Sequence, residues 1–320
     1  MNKVLVTGGS GFIGSNLVDY LIKKDYEVWN LSKHTYATNP LILKHLDMNP
    51  RYHFLPLDVF DGEALLSTLQ DIQVDYIFHL AAETHVDRSF IYPRDFLETN
   101  LVGTFNILES IRYLKNRPRI LYMSTDEVFG YVGSGYCKET DLIRPRNPYS
   151  ASKCSAEAYL TAYHYSFGLD TIISRSMNNY GPRQHPEKLI AKIITRCLKD
   201  QPFSLYKGDS IRGWVYVLDT CRALEYLMKN GQAGEIYHIP AYDYLSVSEV
   251  VNVITSILGK EEYFQGYSGR RLKDDERYAL EGSKLKSLGW HPSISFPEGI
   301  RKTINWYSKN KWFWMDIYSP

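Results

Sequence analysis

Apolar residues recur along the first half of the chain in two alternating rhythms. Short continuous runs at 3–7, 27–31, 53–57, 75–80, 119–124 and 171–175 have the length and continuity of buried strands. Between them, Phe12, Ile13, Leu17, Leu21 and Ile22 fall on a helical period within 12–24, and 93–115 and 148–168 read as longer helices. Strands that are apolar without alternation are covered on both faces, and strand–helix alternation demands crossovers. Right-handed crossovers then give a doubly wound, Rossmann-type parallel sheet.

After Tyr180-Gly181-Pro182 the rhythm breaks. Helices near 187–200, 218–230 and 246–258 mix with short strands, glycines and charged loops. This predicts an α/β chain with a smaller mixed α/β C-terminal lobe. At about 150 residues per domain, 320 residues allow two domains. The division we read is 1–178 and 179–320, with a segment near 214–240 returning to the first. No repeat or Pro/Ser linker separates them, so the lobes are expected to pack directly. Ligands of such sheets bind beyond the strand carboxyl ends, in the crevice that a second lobe roofs.

Composition narrows the field. The chain is 44% hydrophobic and 14% aromatic, which supports a large core and excludes a disordered chain. Its 37 Lys+Arg against 36 Asp+Glu leave no basic excess for displacing counterions, so a nucleic-acid partner is not expected. Most of the 26 tyrosines are expected to pack lobes and surface. The cysteines Cys137, Cys154, Cys197 and Cys221 form no C-x-x-C pair, which predicts reduced thiols and no metal site. With no signal-peptide pattern and no long apolar span, we expect a cytoplasmic protein that does not enter a membrane.

Candidate chemistry begins at Thr7-Gly8-Gly9-Ser10-Gly11-Phe12-Ile13-Gly14, between the first strand and the first helix. Glycines there permit a tight turn and close approach of backbone to a pyrophosphate, and the helix start offers free N–H groups to the anion. This makes 1–178 a dinucleotide-binding domain and 179–320 mainly the substrate lobe. An acid about twenty residues on should take the adenosine ribose, but the second strand ends Leu31-Ser32-Lys33-His34. Ser32 would not repel a 2′-phosphate, and Lys33 and His34 could attract one. NAD and NADP therefore both stay open, with Asp58 a candidate for the adenine.

Tyr149 and Lys153 stand four apart, on one face of a helix. The ammonium is expected to lower the phenol's pKa. Tyr20/Lys24 and Tyr307/Lys311 share the spacing, but one pair lies late in the first helix and the other near the C-terminus, where surface packing is expected. Tyr149 instead faces the strand end Ser124-Thr125, whose hydroxyl can bind the same substrate oxygen. Asp126 and Glu127 follow at once. Alone they read as loop residues with capping duty. Beside Tyr149 they read as an acid/base pair, one carboxyl raised to donate a proton and the other ordinary. An epimerase does not need this pair, and a dehydratase does.

These segments resemble the extended short-chain dehydrogenase/reductases, and within them the nucleotide-diphosphate-sugar 4,6-dehydratases. The likeness includes His79-Leu80-Ala81-Ala82-Glu83-Thr84, Thr99-Asn100, Ser124-Thr125-Asp126-Glu127, Pro148 to Lys153 and Asn178-Asn179-Tyr180-Gly181-Pro182. It implies a tightly bound NAD or NADP lined by Gly8, Gly11, Phe12, Ile13, Gly14, Ser32, Lys33, His34, Asp58, Val59, Leu80, Ala81, Ala82, Thr84, Asn100, Ser124, Tyr149 and Lys153. It implies a nucleotide-sugar held by Thr84, Thr125, Asn178, Lys188, Leu189, Arg212, Arg271 and Tyr278. Tyr149 would take the 4-hydroxyl proton, Glu127 the C5 proton, and Asp126 would protonate the C6 hydroxyl. A homodimer through the 93–115 and 148–168 helices is implied likewise. The family's usual acid at position 32 is Ser32, and its usual Arg-Asp-Trp is Arg212-Gly213-Trp214. The base and the sugar thus stay open between dTDP-glucose and a UDP-sugar, with an epimerase on the same scaffold as the alternative.

Overall fold

The computed structural model describes every residue except His34, Ala37, Pro40, 207–209, 270–278 and 316–320. The strands are β1 (Lys3–Thr7), β2 (Glu27–Leu31), β3 (Tyr52–Leu55), β4 (Tyr76–His79), β5 (Arg119–Thr125), β6 (Thr171–Ser176), β7 (Asn178–Tyr180), β8 (Phe203–Leu205), β9 (Ile211–Tyr216), β10 (Ile236–Ile239), β11 (Asp243–Ser246) and β12 (Phe264–Tyr267). The helices are α1 (Phe12–Lys23), α2 (Gly62–Ile72), α3 (Val86–Ile91), α4 (Pro93–Phe96), α5 (Gly103–Tyr113), α6 (Pro148–Phe167), α7 (Leu189–Leu198), α8 (Val217–Asn230), α9 (Val247–Leu258), α10 (Ser283–Ser287) and α11 (Phe296–Lys309).

Seven strands form one parallel sheet in the order β10-β6-β5-β4-β1-β2-β3. The order reverses between β1 and β4, and the crevice beyond that point is where a doubly wound sheet binds its ligand. Each strand splits its side chains between two layers: Val4, Val6, Leu121 and Ile172 enter one core, Leu5, Ile120, Tyr122 and Ile173 the other. Residues alternate across a pleat, so a continuous apolar run feeds both layers at once. The run at 53–57 ends as a strand at Leu55, because Pro56 has no N–H for the ladder.

The C-terminal half divides. β10 pairs with β6, and α8 packs on α1, β5 and β6 of the large sheet. β7, β9 and β11 make a second, three-stranded sheet, and β8 pairs with β12. The core that contains Val4 and Leu121 continues through Trp214, Phe296 and Trp314, so apolar packing, not a linker, holds the lobes together. Among the described residues no helix is long and apolar enough to cross a membrane.

Residues 93–115, expected as one helix, form α4 and α5 joined by a π-helical turn, Leu97–Val102. The wider turn carries Asn100, 1% exposed, whose side chain is committed to three hydrogen bonds. α6 is defined at both ends. Asn147 accepts from the Ser150 N–H while Ser150 Oγ accepts from the Asn147 N–H, Pro148 supplies the first turn, and Gly168 closes it at φ 67°.

Candidate active site

A cleft of about 420 Å³ opens beyond the carboxyl ends of β1, β4 and β5. That is within the range of ligand pockets. Its floor is the glycine loop. Gly8 has φ 71°, and a Cβ there would come within 2.8 Å of the Ala81 backbone; a Cβ on Gly14 would lie 2.1 Å from Gly8 O. Bare backbone at both positions lets the loop, residues 80–82 and α1 close on one another. α1 starts after Gly11 with no side-chain cap and no acid in its first turn. Its dipole and first N–H groups are therefore left for an anion. Gly8, Gly11, Phe12, Ile13 and Gly14 line the cleft with Leu80, Ala81 and Ala82. The cradle fits the pyrophosphate of a dinucleotide.

At one end of the cleft lie Ser32, Lys33, Asp58 and Val59. Ser32 is buried, its Oγ accepting from the Ser10 N–H at 3.4 Å. Lys33 Nζ pairs with Asp58 Oδ2 at 2.8 Å, so the charge that left room for a 2′-phosphate already has an acidic partner. His34 lies outside the described residues. Asn100 is not in the cleft wall. Its Oδ1 accepts from the Glu83 N–H and its Nδ2 donates to Glu83 O and Ser152 Oγ, tying the loop after β4 to α6.

β5 delivers Ser124 and Thr125 to the cleft, and a short turn, Asp126–Phe129, follows. Thr125 Oγ1 accepts from the Glu127 N–H at 3.3 Å and donates to Asp126 Oδ1 at 3.2 Å. That tight turn sets the two carboxyls differently. Asp126 is 2% exposed and its Oδ2 has no hydrogen-bond partner among the described residues. Burial first, and Glu127 beside it second, push its pKa up to about 7, against the pull of Arg212 and Thr125. Glu127 is half-buried, and Oε2 accepts from Asn147 Nδ2 at 3.1 Å. Asn147 thus caps α6 and holds Glu127 at once. Sequence reasoning missed it. Its Asn-Pro start signals a cap, but nothing local reveals a bond to a residue twenty positions earlier.

Tyr149 and Lys153 also line the cleft, 8% and 3% exposed. Lys153 by itself does not lower the phenol. Burial, with Glu127 and Asp126 adding to it, raises Tyr149, and Thr125 alone opposes them. Burial likewise lowers Lys153 to about 7. Desolvation outweighs the helix spacing because both groups are nearly out of water. The two other Tyr/Lys pairs are structural. Tyr20 donates to Glu225 Oε2 at 2.9 Å, and Tyr307 is fully buried in the core, not on the surface, donating to Gln184 O.

Thr84, Asn178, Lys188 and Leu189 line the opposite side, where Lys188 Nζ donates to Thr84 O at 3.2 Å. Arg212, 8% exposed on β9, is not among the residues that line the cleft, and its charge acts on Asp126. Arg271 and Tyr278 lie outside the described residues. Glu83 is a further cleft residue that sequence reasoning left without a role; burial raises its pKa.

This geometry can be set beside known proteins. The profile of the GDP-mannose 4,6 dehydratase family matches residues 5–303. The chain belongs to that family. Relatives within its reach include a probable dTDP-glucose 4,6-dehydratase of Sinorhizobium fredii, 40% identical over 98% of this chain and 95% of the relative. The dTDP-glucose 4,6-dehydratase of Salmonella typhimurium is 39% identical over 96% and 93%. Among solved structures, a Streptomyces venezuelae dTDP-glucose 4,6-dehydratase with NAD bound superposes with a TM-score of 0.94 at 38% identity, covering 98% of this chain and 99% of that one. A Thermus thermophilus UDP-glucose 4-epimerase with NAD gives 0.89 at 31%, covering 96% and 99%. Fold alone therefore does not separate dehydratase from epimerase, and the site must.

Proposed function

We propose that this chain is a nucleotide-diphosphate-sugar 4,6-dehydratase, a hydro-lyase working with bound NAD. The observation that carries it is the Asp126/Glu127 pair, one carboxyl buried and raised, its neighbour held open by Asn147, both in the cleft with Tyr149. The chemistry NAD would supply when bound is reversible hydride storage, from sugar C4 and back to C6, with no net consumption of the cofactor. The glycine cradle and α1 hold its pyrophosphate, with Ser32 and the Lys33–Asp58 pair at the adenosine end. That pairing favours NAD over NADP, since a 2′-phosphate would meet Asp58 as well as Lys33.

The protein's own groups move the protons. With the oxidised nicotinamide beside it, whose positive charge together with Lys153 would offset the burial that raises the phenol, Tyr149 would react as the phenolate and take the 4-hydroxyl proton while Thr125 holds that oxygen. The resulting 4-ketone acidifies C5–H, which Glu127 removes. Asp126, raised to about 7 and so able to hold a proton far above the usual carboxyl range, gives that proton to the C6 hydroxyl, which leaves as water. Glu127 then returns its proton to C5. Substrate, less one water, gives a 4-keto-6-deoxy-hexose on the same nucleotide.

The substrate read here is dTDP-glucose or a UDP-hexose. Incubation with each, without added cofactor turnover, is expected to give a product lighter by one water. A product of unchanged mass, inverted at C4, would replace this reading with an epimerase. A homodimer through α5 and α6 is part of the proposal. Phe105, Tyr113, Tyr159, Tyr165 and Phe167 on these helices are exposed, an apolar load suited to burial against a second copy. Light scattering at the mass of one chain would remove it. A cytoplasmic location is proposed from the four free thiols.

A further inference from the structure

Lys153 packs over a residue that the reaction does not use. Tyr122, on β5 three positions before Thr125, is completely buried. Lys153 Nζ lies over its ring, 4.2 Å from the centroid. Among the described residues the phenol oxygen of Tyr122 closes no hydrogen bond of good geometry, although the Thr104 hydroxyl stands near enough to act on it. A buried tyrosine ordinarily uses its hydroxyl. One that does not is retained for its ring.

The surroundings show what the ring can do. Lys153 is 3% exposed and makes no hydrogen bond or ion pair with the described residues. On its own helix it is faced by Tyr149 and Glu157. Glu157 adds a favourable field but is committed to Arg175 of β6 at 2.7 Å. From β4 comes His79, held neutral by burial and bonded through both ring nitrogens, to Thr7 and Thr104. Burial works against the ammonium, and the one direct contact that works for it is the negative face of the Tyr122 ring.

We propose that Tyr122 is a positioning residue for Lys153, its ring face keeping the ammonium charged and in place one helical turn from the reacting phenol. The proposal rests on the site assignment above only for its consequence. The contact itself can be tested without turnover.

The experiment is a pH titration of Lys153 by NMR in the NAD-loaded protein labelled with ¹³C-lysine, its resonance identified by its absence in Lys153→Met. At position 122, Tyr122→Phe is followed by phenylalanines with successively more ring fluorines, which drain the π face and preserve its shape, so folding is not put at risk. The Tyr122→Phe midpoint should match the parent. The midpoint should then fall with each fluorine, by about one pH unit, or tenfold in the ionisation constant, over the series. A flat series overturns the proposal. So does a drop already complete in Tyr122→Phe, which would assign the effect to the hydroxyl. A failed dehydratase assay alongside a falling series would remove the functional reading and leave this one standing.

Discussion

Replacing Asp126 by asparagine separates what the carboxyl does for the reaction from what it does to the fold. In the native protein burial and Glu127 raise its pKa from 3.8 to about 7. A group raised on folding adds stability that is complete below its unfolded pKa and is lost as pH climbs through its folded one. Between pH 3.8 and about 7 the unfolded chain ionises Asp126 while the native protein keeps the proton, and above that the native protein carries a buried charge. At 1.36 kcal/mol per pH unit the whole loss is about 4 kcal/mol. Asparagine never ionises. Its amide nitrogen would take the place of Oδ2, which has no partner among the described residues, so it leaves a neutral donor there as the protonated acid does. Asp126→Asn should therefore match the parent below about pH 4, gain about 1.4 kcal/mol per unit, and level off above pH 7. Unfolding entropy of about 2 cal/mol/K per residue over 320 residues turns the plateau into about 6 °C. Thermal melts of both proteins at saturating NAD, from pH 4 to 9, measure the difference, and groups that titrate alike in both cancel. The same variant should lose about 10²–10⁴ in kcat, because no proton reaches the C6 hydroxyl. Melting curves that stay parallel from pH 5 to 8.5 would refute the buried, protonated carboxyl. A variant keeping more than about a tenth of its turnover would refute its role as the acid.

Three further outcomes follow from other contacts. Asn147→Asp keeps the α6 cap but sets a carboxylate against Glu127 Oε2, so turnover should fall about tenfold or more while the melting temperature holds; Asn147→Ala should lose about 1 kcal/mol of stability as well, and kinetics beside calorimetry distinguish them. Gly14→Ala places a methyl 2.1 Å from Gly8 O, so dinucleotide should no longer co-purify, which absorbance of the denatured supernatant reads directly. Glu157→Gln strands the Arg175 guanidinium, both partners being 4% exposed, and should cost about 3–5 kcal/mol in denaturant unfolding; an unchanged midpoint would count the pair as idle.

Much of this architecture is legible in the order of residues. Strands buried on both faces write themselves as continuous apolar runs, and β1, β2, β4, β5 and β6 stand within a residue or two of where those runs lie. The glycine loop was equally legible, because a close backbone approach admits one residue type and Gly8 and Gly14 have no room for another. Family likeness named Thr125, Asp126, Glu127, Tyr149 and Lys153, and all five line one cleft. Local pattern failed where a position's role depends on a distant neighbour. Asn100 staples the loop after β4 to α6, and Arg212 acts on the charge of Asp126, neither of which their local sequence signals.

What the residue order determines by itself is the set of short-range quantities: which segments bury both faces, where a helix starts, and which side chains carry titratable groups. Those follow from steric and apolar rules that act over a few positions. Which of two adjacent acids keeps its proton is another matter, as is whether a phenol is lifted or lowered by a lysine one turn away. Those answers come from how much water the assembled lobes exclude and which partner crosses the cleft. Charge energies depend on burial and distance in space, and only the packed chain sets either.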